Sequence, residues 1–210
     1  MITISNLNLI LKQTHILKDV SFTLHSGEIL GITGPSGCGK SSLLKLLSDK
    51  KNSYTGKIKI KGEEISEFTK KKLRSETSAL LYPDEFNPES TVFEEVIRGR
   101  IHLKKMLNPY SEIDRDSTQA IIDETGLSEK SIIRLKRSSD STIRMALIAR
   151  TINSGSDIII LDSPEQGLDP SQKLSVIRAL KKYTVKGDKS VLIASSDIDF
   201  LVKICDRIIV

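Results

Sequence analysis

Residues 34–41 read GPSGCGKS and have the spacing G-x-x-x-x-G-K-S. Before them, Glu28 to Thr33 (EILGIT) predicts a short buried strand, and Ser41 to Leu47 (SSLLKLL) predicts the start of an amphipathic helix. In this context a glycine-rich loop turns its backbone N–H groups towards bound phosphates, supported by the positive end of the helix. The stretch therefore predicts a phosphate-binding loop.

The loop and one distant strand predict a site for a triphosphate and Mg²⁺. Lys40 is expected to reach the β and γ phosphates, and the Ser41 hydroxyl to ligate Mg²⁺, a cation that prefers oxygen. The apolar run Ile158 to Leu161 ends in Asp162, which places a carboxylate at the edge of a sheet. The predicted nucleotide-binding residues are Gly34, Pro35, Ser36, Gly37, Cys38, Gly39, Lys40, Ser41 and Ser42.

The remaining patterns predict an α/β fold with a mostly parallel sheet covered by helices on both faces. Alternation over residues 2–24 and from Gly56 to Gly62 predicts antiparallel β-structure near the N-terminus. From Pro83 to about Asn153 helical periodicity replaces the β pattern. We therefore expect an α/β core over residues 1–84 and 154–210, with a helical subdomain over about 85–153. Further strands are expected at Asp157–Leu161, Ser190–Ala194 and Arg207–Val210, and helices at Glu112–Thr125, Thr142–Ile152, Ser171–Tyr183 and Ile198–Cys205.

Composition narrows the function classes. The 210 residues suffice for one sizeable core, and no apolar run approaches the roughly 20 residues that a membrane helix needs. Two cysteines and the absence of an N-terminal signal pattern argue against a disulfide framework and secretion, so a cytoplasmic location is expected. The net charge of +5 suits an anionic ligand, but 4% aromatic residues and no Trp predict no nucleic-acid partner.

Two further segments resemble the nucleotide-binding domain of ATP-binding cassette (ABC) transporters. They are DSPEQGLDP at residues 162–170 and LKDVSFTL at residues 17–24, the latter ahead of GEILG at residues 27–31. The resemblance covers essentially the whole chain and implies a P-loop NTPase fold that binds ATP with Mg²⁺. In that family two domains sandwich two ATP molecules, and each site combines one chain's phosphate loop with the other chain's signature loop.

The resemblance also implies partners and a location. Pro83 to Arg100 resembles the segment that contacts a membrane-spanning transporter subunit, and Gly167 to Asp169 resembles the loop at the interface with a second nucleotide-binding domain. The location implied is cytoplasmic and peripheral, on the inner face of the membrane. The family usually continues by at least another strand beyond Arg207–Val210, which leaves open whether an accessory region follows.

The positions expected to be catalytic depart from the family pattern. Where the family has a glutamate that activates water, this chain has Ser163, and where it has a histidine that contacts the γ-phosphate, this chain has Ser196. A hydroxyl is a poor base near neutral pH, and loss of a positioned base removes about 10²–10⁴ in rate. Glu165 is an alternative base, although Pro164 intervenes.

Two other motifs also differ from the family. The signature segment falls on residues 138–142 (SSDST), where a serine is kept but both glycines are replaced. There Asp140 would either repel a triphosphate or stabilise the start of its own helix. The family glutamine after the middle strand is Asp84, which can still offer oxygen to Mg²⁺. The predicted metal ligands are thus Ser41, Asp162 and Asp84.

Residues that hold triphosphate and Mg²⁺ are retained, whereas residues for hydrolysis and for the opposite site are altered. This combination predicts the ATP-binding subunit of an ABC transporter that acts as a slow nucleotide-gated dimer clamp. Adenine selectivity should be loose, because the family's stacking aromatic aligns near Leu11 and the nearest ring is His15. Two alternatives remain: a competent ATPase that energises transport with a base from elsewhere, and a soluble ATP-sensing scaffold without a membrane subunit.

Overall fold

A computed structural model describes residues 1–48, 54–102, 110–185 and 189–210 of the chain. Its strands are β1 (Ile2–Leu11), β2 (Thr14–Leu24), β3 (Ile29–Ile32), β4 (Tyr54–Ile60), β5 (Glu63–Glu64), β6 (Thr77–Leu80), β7 (Ile158–Asp162), β8 (Ser190–Ala194) and β9 (Arg207–Ile209). Its α-helices are α1 (Lys40–Ser48), α2 (Lys70–Glu76), α3 (Val92–Ile97), α4 (Glu112–Glu124), α5 (Asp140–Asn153), α6 (Pro170–Val185) and α7 (Ile198–Ile204).

The strands form two sheets. An antiparallel sheet has the order β2-β1-β4-β5, and a parallel sheet has the order β6-β7-β8-β3-β9. The predicted α/β class, with a parallel main sheet and N-terminal antiparallel β-structure, is confirmed.

A bulge in β1 explains why its apolar spacing changes. Ile2 and Ile4 are buried before the bulge, and Leu7 and Leu9 are buried after it. Asn6 has a φ of +50° there, and the register shifts between Ile4 and Leu7. Because a bulge adds one residue to a strand, the inward alternation resumes one position later. The same inward face is therefore kept along the whole strand.

The parallel sheet separates two apolar cores. Ile159 and Leu161 of β7 face one core, which contains the buried faces of α5, α6 and α7. Ile158 and Ile160 face the other, which contains α1 and the inner face of the antiparallel sheet. Side chains alternate between the faces of a strand, so a strand covered on both sides is apolar throughout. That is why β7 reads as an uninterrupted run rather than an alternating one.

Strand β6 is an element that the sequence patterns miss. Residues 77–80 read TSAL and pair in parallel with β7, at the edge of the main sheet. Four residues are too few for a clear period, and Thr and Ser dilute the apolar signal. β6 matters for the site because its C-terminal end leads to the segment that contains Asp84.

Between β6 and β7 the regular elements among the described residues are helices joined by loops, with one isolated bridge between Thr91 and Arg134. This stretch includes α3, α4 and α5 and short 3₁₀ turns at Arg98–His102, Ser128–Lys130 and Leu135–Arg137. Residues 103–109 of the predicted helical stretch lie outside the described residues. Across the ranges that the structure describes, none of the helices combines the length and apolar character needed to cross a membrane.

Gly31 in β3 is expected to be required for packing. A Cβ atom at Gly31 would lie 2.9 Å from the Cys205 sulfur and 3.3 Å from side-chain atoms of Leu201 and Ile208. We expect Gly31→Ala to lower the free energy of unfolding by about 1–3 kcal/mol through overpacking. Cys205→Ala removes the nearest clashing atom, so the double variant should lose at least about 0.5 kcal/mol less than the sum of the single variants. Denaturant unfolding measures this coupling, and simple additivity would contradict it.

Asp114 should make stability depend on pH. Its carboxylate accepts hydrogen bonds from Arg100 Nε at 2.5 Å and from Ser111 N at 3.0 Å. The Arg100 contact, assisted by Ser111, lowers the pKa of Asp114 from 3.8 to about 2. Because the folded-state pKa is depressed, the stabilisation is present above about pH 4 and is lost as the pH falls towards 2.

The matching experiment compares the wild type with Arg100→Met. The free energy of unfolding should differ most near pH 6, and the difference should shrink by pH 3 as Asp114 becomes protonated in the unfolded chain. A difference that stays constant between these two pH values would contradict the assignment.

Candidate functional site

Three strands bring the predicted site residues to one edge of the parallel sheet. Ala194 at the end of β8 pairs with Ile32 of β3 on one side and with Asp162 of β7 on the other. Neighbouring strands are about 4.8 Å apart, so Asp162 lies roughly 10 Å from the end of β3. The phosphate loop begins just beyond β3, at the carboxyl edge where open α/β sheets bind ligands.

Glycines allow the phosphate loop to close over the start of α1. Gly34, Gly37 and Gly39 have φ angles of +149°, +80° and +102°, which residues with a Cβ rarely adopt. At Gly39 a Cβ atom would also lie 2.8 Å from Leu17 Cδ2. The first N–H groups of a helix have no partner within the helix, so the loop and α1 together offer donors to an anion.

Lys40 provides the positive charge of this loop. Its Nζ donates hydrogen bonds to the carbonyl oxygens of Gly34 at 2.6 Å and Pro35 at 3.0 Å, and lies 3.7 Å from the Cys38 sulfur. Ser41 follows in the first turn of α1 and is exposed. The ammonium group and the hydroxyl are therefore both at the mouth of the loop.

The predicted metal ligand is the last residue of β7, and the turn that follows holds the position of the missing base. Asp162 is only 5% exposed, and Ser163 has a φ of +47°. The backbone N–H of Ser163 donates to the carbonyl oxygen of Ala194 at 2.7 Å, which ties the turn to β8. A left-handed conformation costs a non-glycine residue about 1–2 kcal/mol, so the surrounding contacts must hold this turn in place.

Arg144 of α5 contacts the backbone of this turn. Its Nη2 donates to the carbonyl oxygens of Asp162 at 2.7 Å and Ser163 at 2.6 Å. Burial lowers the pKa of the Arg144 guanidinium, and the opposing influence comes from neighbouring carboxylates. These carboxylates belong to Glu165, Asp162 and Asp84. A half-buried cation therefore sits among the acidic residues of the site.

Glu165, the alternative base, is enclosed in the protein. It is 7% exposed, and its Oε1 accepts a hydrogen bond from Ser195 Oγ at 2.6 Å. Its Oε2 is buried and has no hydrogen-bond partner among the described residues. Ser195 Oγ in turn accepts from Asp197 N at 2.9 Å. A general base must come within hydrogen-bond reach of the attacking water, and this conformation closes the Glu165 carboxylate to solvent.

Ser196 lies at the same sheet edge, directly after β8 and Ser195, and is exposed. The next residue, Asp197, caps α7 by accepting from Phe200 N at 2.9 Å and also accepts from Lys173 Nζ at 2.8 Å. The Lys173 contact and the cap lower the pKa of Asp197. Ser196 offers a hydroxyl to a phosphate but lacks the basic nitrogen of an imidazole.

The third predicted metal ligand, Asp84, is paired with an arginine of the protein. Its Oδ2 accepts from Arg150 Nη2 at 2.6 Å and its Oδ1 accepts from Glu85 N at 2.8 Å. Arg150 also binds the fully buried Glu95 at 2.5 Å. Burial raises the pKa of Asp84 although Arg150 opposes this shift. Asp84 would have to exchange these contacts before it could ligate Mg²⁺.

The segment at the signature position forms the start of α5. Ser139 is the N-cap of this helix, and its Oγ accepts from Thr142 N at 3.3 Å. Asp140 lies in the first turn, where a negative charge stabilises the positive end of the helix. The Ser139 hydroxyl is also 3.1 Å from that of Ser141. The segment is therefore held by its own helix and hydroxyl groups.

The oxygen donors suit Mg²⁺ that arrives with a triphosphate. The Ser41 hydroxyl and the Asp162 carboxylate are the hard ligands that this cation prefers. Within the parts of the chain that the structure describes, no three His, Cys, Asp or Glu side chains are grouped to hold a metal ion. Mg²⁺ commonly completes such a sparse set with waters and phosphate oxygens. The residues fit that arrangement better than a stand-alone metal centre.

Arg144 and Ser195 are residues of the site that sequence reasoning misses. Arg144 lies in the otherwise apolar run IRMALIA at residues 143–149, and Ser195 directly follows the buried strand SVLIA. A charged or polar residue on a buried element is a signal that it has a specific partner. That signal does not identify the partner, which lies 18 or more residues away in each case.

Comparison with known proteins gives a consistent result. A family model described as ABC transporter matches residues 17–166. The chain is 30% identical over 207 residues to "Phosphonates import ATP-binding protein PhnC" of Mesoplasma florum, covering 93% of this chain and 83% of that protein. It is 27% identical over 217 residues to "Probable amino-acid ABC transporter ATP-binding protein" of Haemophilus influenzae, covering 100% of this chain and 83% of that protein.

Solved structures agree on the fold. The dimeric structure of MJ0796, a bacterial ABC transporter cassette, superposes with a TM-score of 0.87 at 24% identity, covering 100% of this chain and 93% of that one. A nucleotide-free ATP-binding cassette from an ABC transporter gives a TM-score of 0.83 at 20% identity, covering 98% and 85%. With the phosphate loop, the strand-end aspartate and these similarities taken together, the chain belongs to the ABC transporter family as a nucleotide-binding domain.

Proposed function

We propose that this chain is the ATP-binding subunit of an ABC transporter and works as a slow nucleotide-gated dimer clamp with impaired hydrolysis. The observation that carries the proposal is the set of residues at the carboxyl edge of the parallel sheet. There the GPSGCGKS loop begins just beyond β3, two strands away from Asp162 at the end of β7, whereas Ser163 occupies the position expected for the general base. Binding groups are present, and the group that activates water is replaced.

Binding begins at the phosphate loop. The Lys40 ammonium exchanges its contacts with the Gly34 and Pro35 carbonyl oxygens for phosphate oxygens, which carry a full negative charge and bind it more strongly. The N–H groups at the start of α1 hold the remaining phosphate oxygens. Ser41 and Asp162 would hold Mg²⁺, which would supply positive charge against the phosphates, and Asp84 would join them only after leaving Arg150.

Hydrolysis is expected to be slow for two reasons. Ser163 cannot take a proton from water near neutral pH, and Ser196 can offer only a hydroxyl to the γ-phosphate. Glu165 is turned away and bound by Ser195, so it does not replace the base in this conformation. Residual turnover then reflects positioning and charge neutralisation alone.

The relatives support the proposed partners. Proteins similar to this chain are named as import ATP-binding proteins, and one solved cassette is dimeric. We therefore assign a second nucleotide-binding domain and a membrane-spanning subunit as partners, with the chain peripheral on the cytoplasmic face of the membrane. The helical part at about 85–153 would face that subunit, and the core would comprise residues 1–84 and 154–210. Co-purification without any multi-span protein would favour the scaffold alternative.

The first test concerns nucleotide binding. Calorimetry should detect Mg-ATP binding by the wild type, and Lys40→Ala should weaken it by about 10–100-fold, the equivalent of one charge-assisted contact of about 1.5–3 kcal/mol. Lys45→Ala is the matched control, because Lys45 is exposed in the last turn of the same helix. An absence of ATP binding by the wild type, or equal losses in the two variants, would contradict the proposal.

The second test restores the missing base. Ser163→Glu should raise ATP turnover by roughly 10²-fold, at the low end of the 10²–10⁴ expected for a positioned base, because Ser196 and the signature position remain altered. The control is Ser163→Gln, because glutamine has the size of glutamate but no carboxylate. Its ATP turnover should stay as slow as that of the wild type. Equal rates for the Glu and Gln variants would argue against an absent base. Wild-type turnover of tens per second would instead favour the competent ATPase.

A further inference from the structure

Arg144 connects two separate parts of the site. It lies on α5, five residues after the N-cap Ser139, which corresponds to about 7.5 Å along the helix axis. At the other end of its side chain, Nη2 donates to the carbonyl oxygens of Asp162 and Ser163. One side chain therefore joins the helix that begins at the signature position to the turn that carries the metal-binding aspartate.

The turn depends on these two hydrogen bonds. Ser163 has the strained φ of +47°, and its N–H is used by Ala194 of β8. Hydrogen bonds from a charged donor are about twice as strong as those between neutral groups. With Arg144 removed, the two adjacent carbonyl oxygens lose the same charged donor. The turn then keeps its contact with β8 and the hydrogen bond from Gln166 N to the Ser163 carbonyl oxygen at 3.1 Å, and the Asp162 carbonyl oxygen loses its side-chain donor. The direction of the Asp162 carboxylate is set by this backbone.

The charge of Arg144 is balanced by Glu165. Arg144 Nε and Glu165 Oε2 are both buried atoms that have no hydrogen-bond partner among the described residues. The Glu165 carboxylate is among those that oppose the burial effect on the Arg144 pKa, while Ser195 holds its other oxygen. Removal of one member of such a pair leaves an uncompensated buried charge. Arg144 and Glu165 should therefore be coupled energetically although they make no direct hydrogen bond.

We infer that Arg144 is the positioning residue of the metal site: it fixes the Asp162–Ser163 turn so that the Asp162 carboxylate faces Mg²⁺ at the phosphate loop. It also ties that geometry to α5, so that a displacement of the helix at Ser139 reaches Asp162. This inference rests on the proposed function, because it presumes that Mg-ATP binds at the loop. Arg144 is not itself a ligand in this assignment; it acts through the backbone carbonyl oxygens of Asp162 and Ser163.

The test measures ATP affinity by calorimetry, once with Mg²⁺ and once with a chelator, for the wild type, Arg144→Met and Arg144→Lys. Partners that orient a metal ligand typically contribute 10–100-fold to metal affinity. We expect Arg144→Met to reduce the enhancement of ATP affinity by Mg²⁺ about 10-fold and to leave the affinity in chelator unchanged. Arg144→Lys keeps the charge and one donor group and should recover part of the enhancement.

Arg100→Met is the control for a general loss of stability. Arg100 also pairs with a carboxylate, that of Asp114, and donates to a backbone carbonyl oxygen, that of Asn153 at 3.4 Å. Asn153 is the last residue of α5, nine residues beyond Arg144, and neither contact involves the Asp162–Ser163 turn. Arg100→Met should lower the unfolding temperature without changing the Mg²⁺ enhancement. A second readout needs no ligand: amide hydrogen exchange at Ser163 should be faster in Arg144→Met and unchanged in Arg100→Met.

Poor folding of Arg144→Met would not block the test. The double variant Arg144→Met/Glu165→Gln removes the uncompensated carboxylate and should recover part of the unfolding temperature while keeping the reduced Mg²⁺ enhancement. An unchanged enhancement and unchanged Ser163 exchange in the Arg144 variants would overturn the inference while leaving the proposed function intact. A wild type that binds no ATP would overturn the proposed function itself, whereas the exchange result at Ser163 would still report on the turn.

Discussion

The pairing of Ala194 with both Ile32 and Asp162 sets the geometry on which the site depends. Because these residues form one row across three parallel strands, the start of the phosphate loop and the strand-end carboxylate are about two strand spacings apart. Apolar side chains on both faces of β7 and β8 keep that row fixed. Small changes in the loops can then alter chemistry without altering the spacing between loop and carboxylate.

The local features of the fold are the ones that sequence predicts. The GPSGCGKS loop carries its own backbone requirements in its glycines, so its position between β3 and α1 follows from a few adjacent residues. Strand β6 is not predicted from the sequence, because its four residues include Thr and Ser and show no clear period. Helix ends shift by a residue or two: α5 begins at Asp140 rather than Thr142, since Ser139 provides the cap.

The candidate site is predicted less completely, since its electrostatics depend on distant contacts. Nothing adjacent to Asp84 in the sequence indicates that Arg150 holds it, 66 residues further on. Glu165 likewise looks available as a base until Ser195 is seen to bind it, 30 residues away. Positions can be inferred from motif spacing, but the partner of a charged side chain is fixed by tertiary packing.

The two arginines of α5 have a mechanical consequence. Arg144 donates hydrogen bonds to the turn at the end of β7, and six residues later Arg150 donates to Asp84 and to Glu95 of α3. Six residues span about 1.7 turns, so the two arginines leave the helix on different sides. A rotation of the helix about its long axis would therefore strain both sets of hydrogen bonds at once, in different directions. A translation of the helix along its axis would instead displace the hydrogen bonds of both arginines in the same direction. The helix is thus braced against twisting, and translation is the motion by which it could transmit force between the sheet edge and α3.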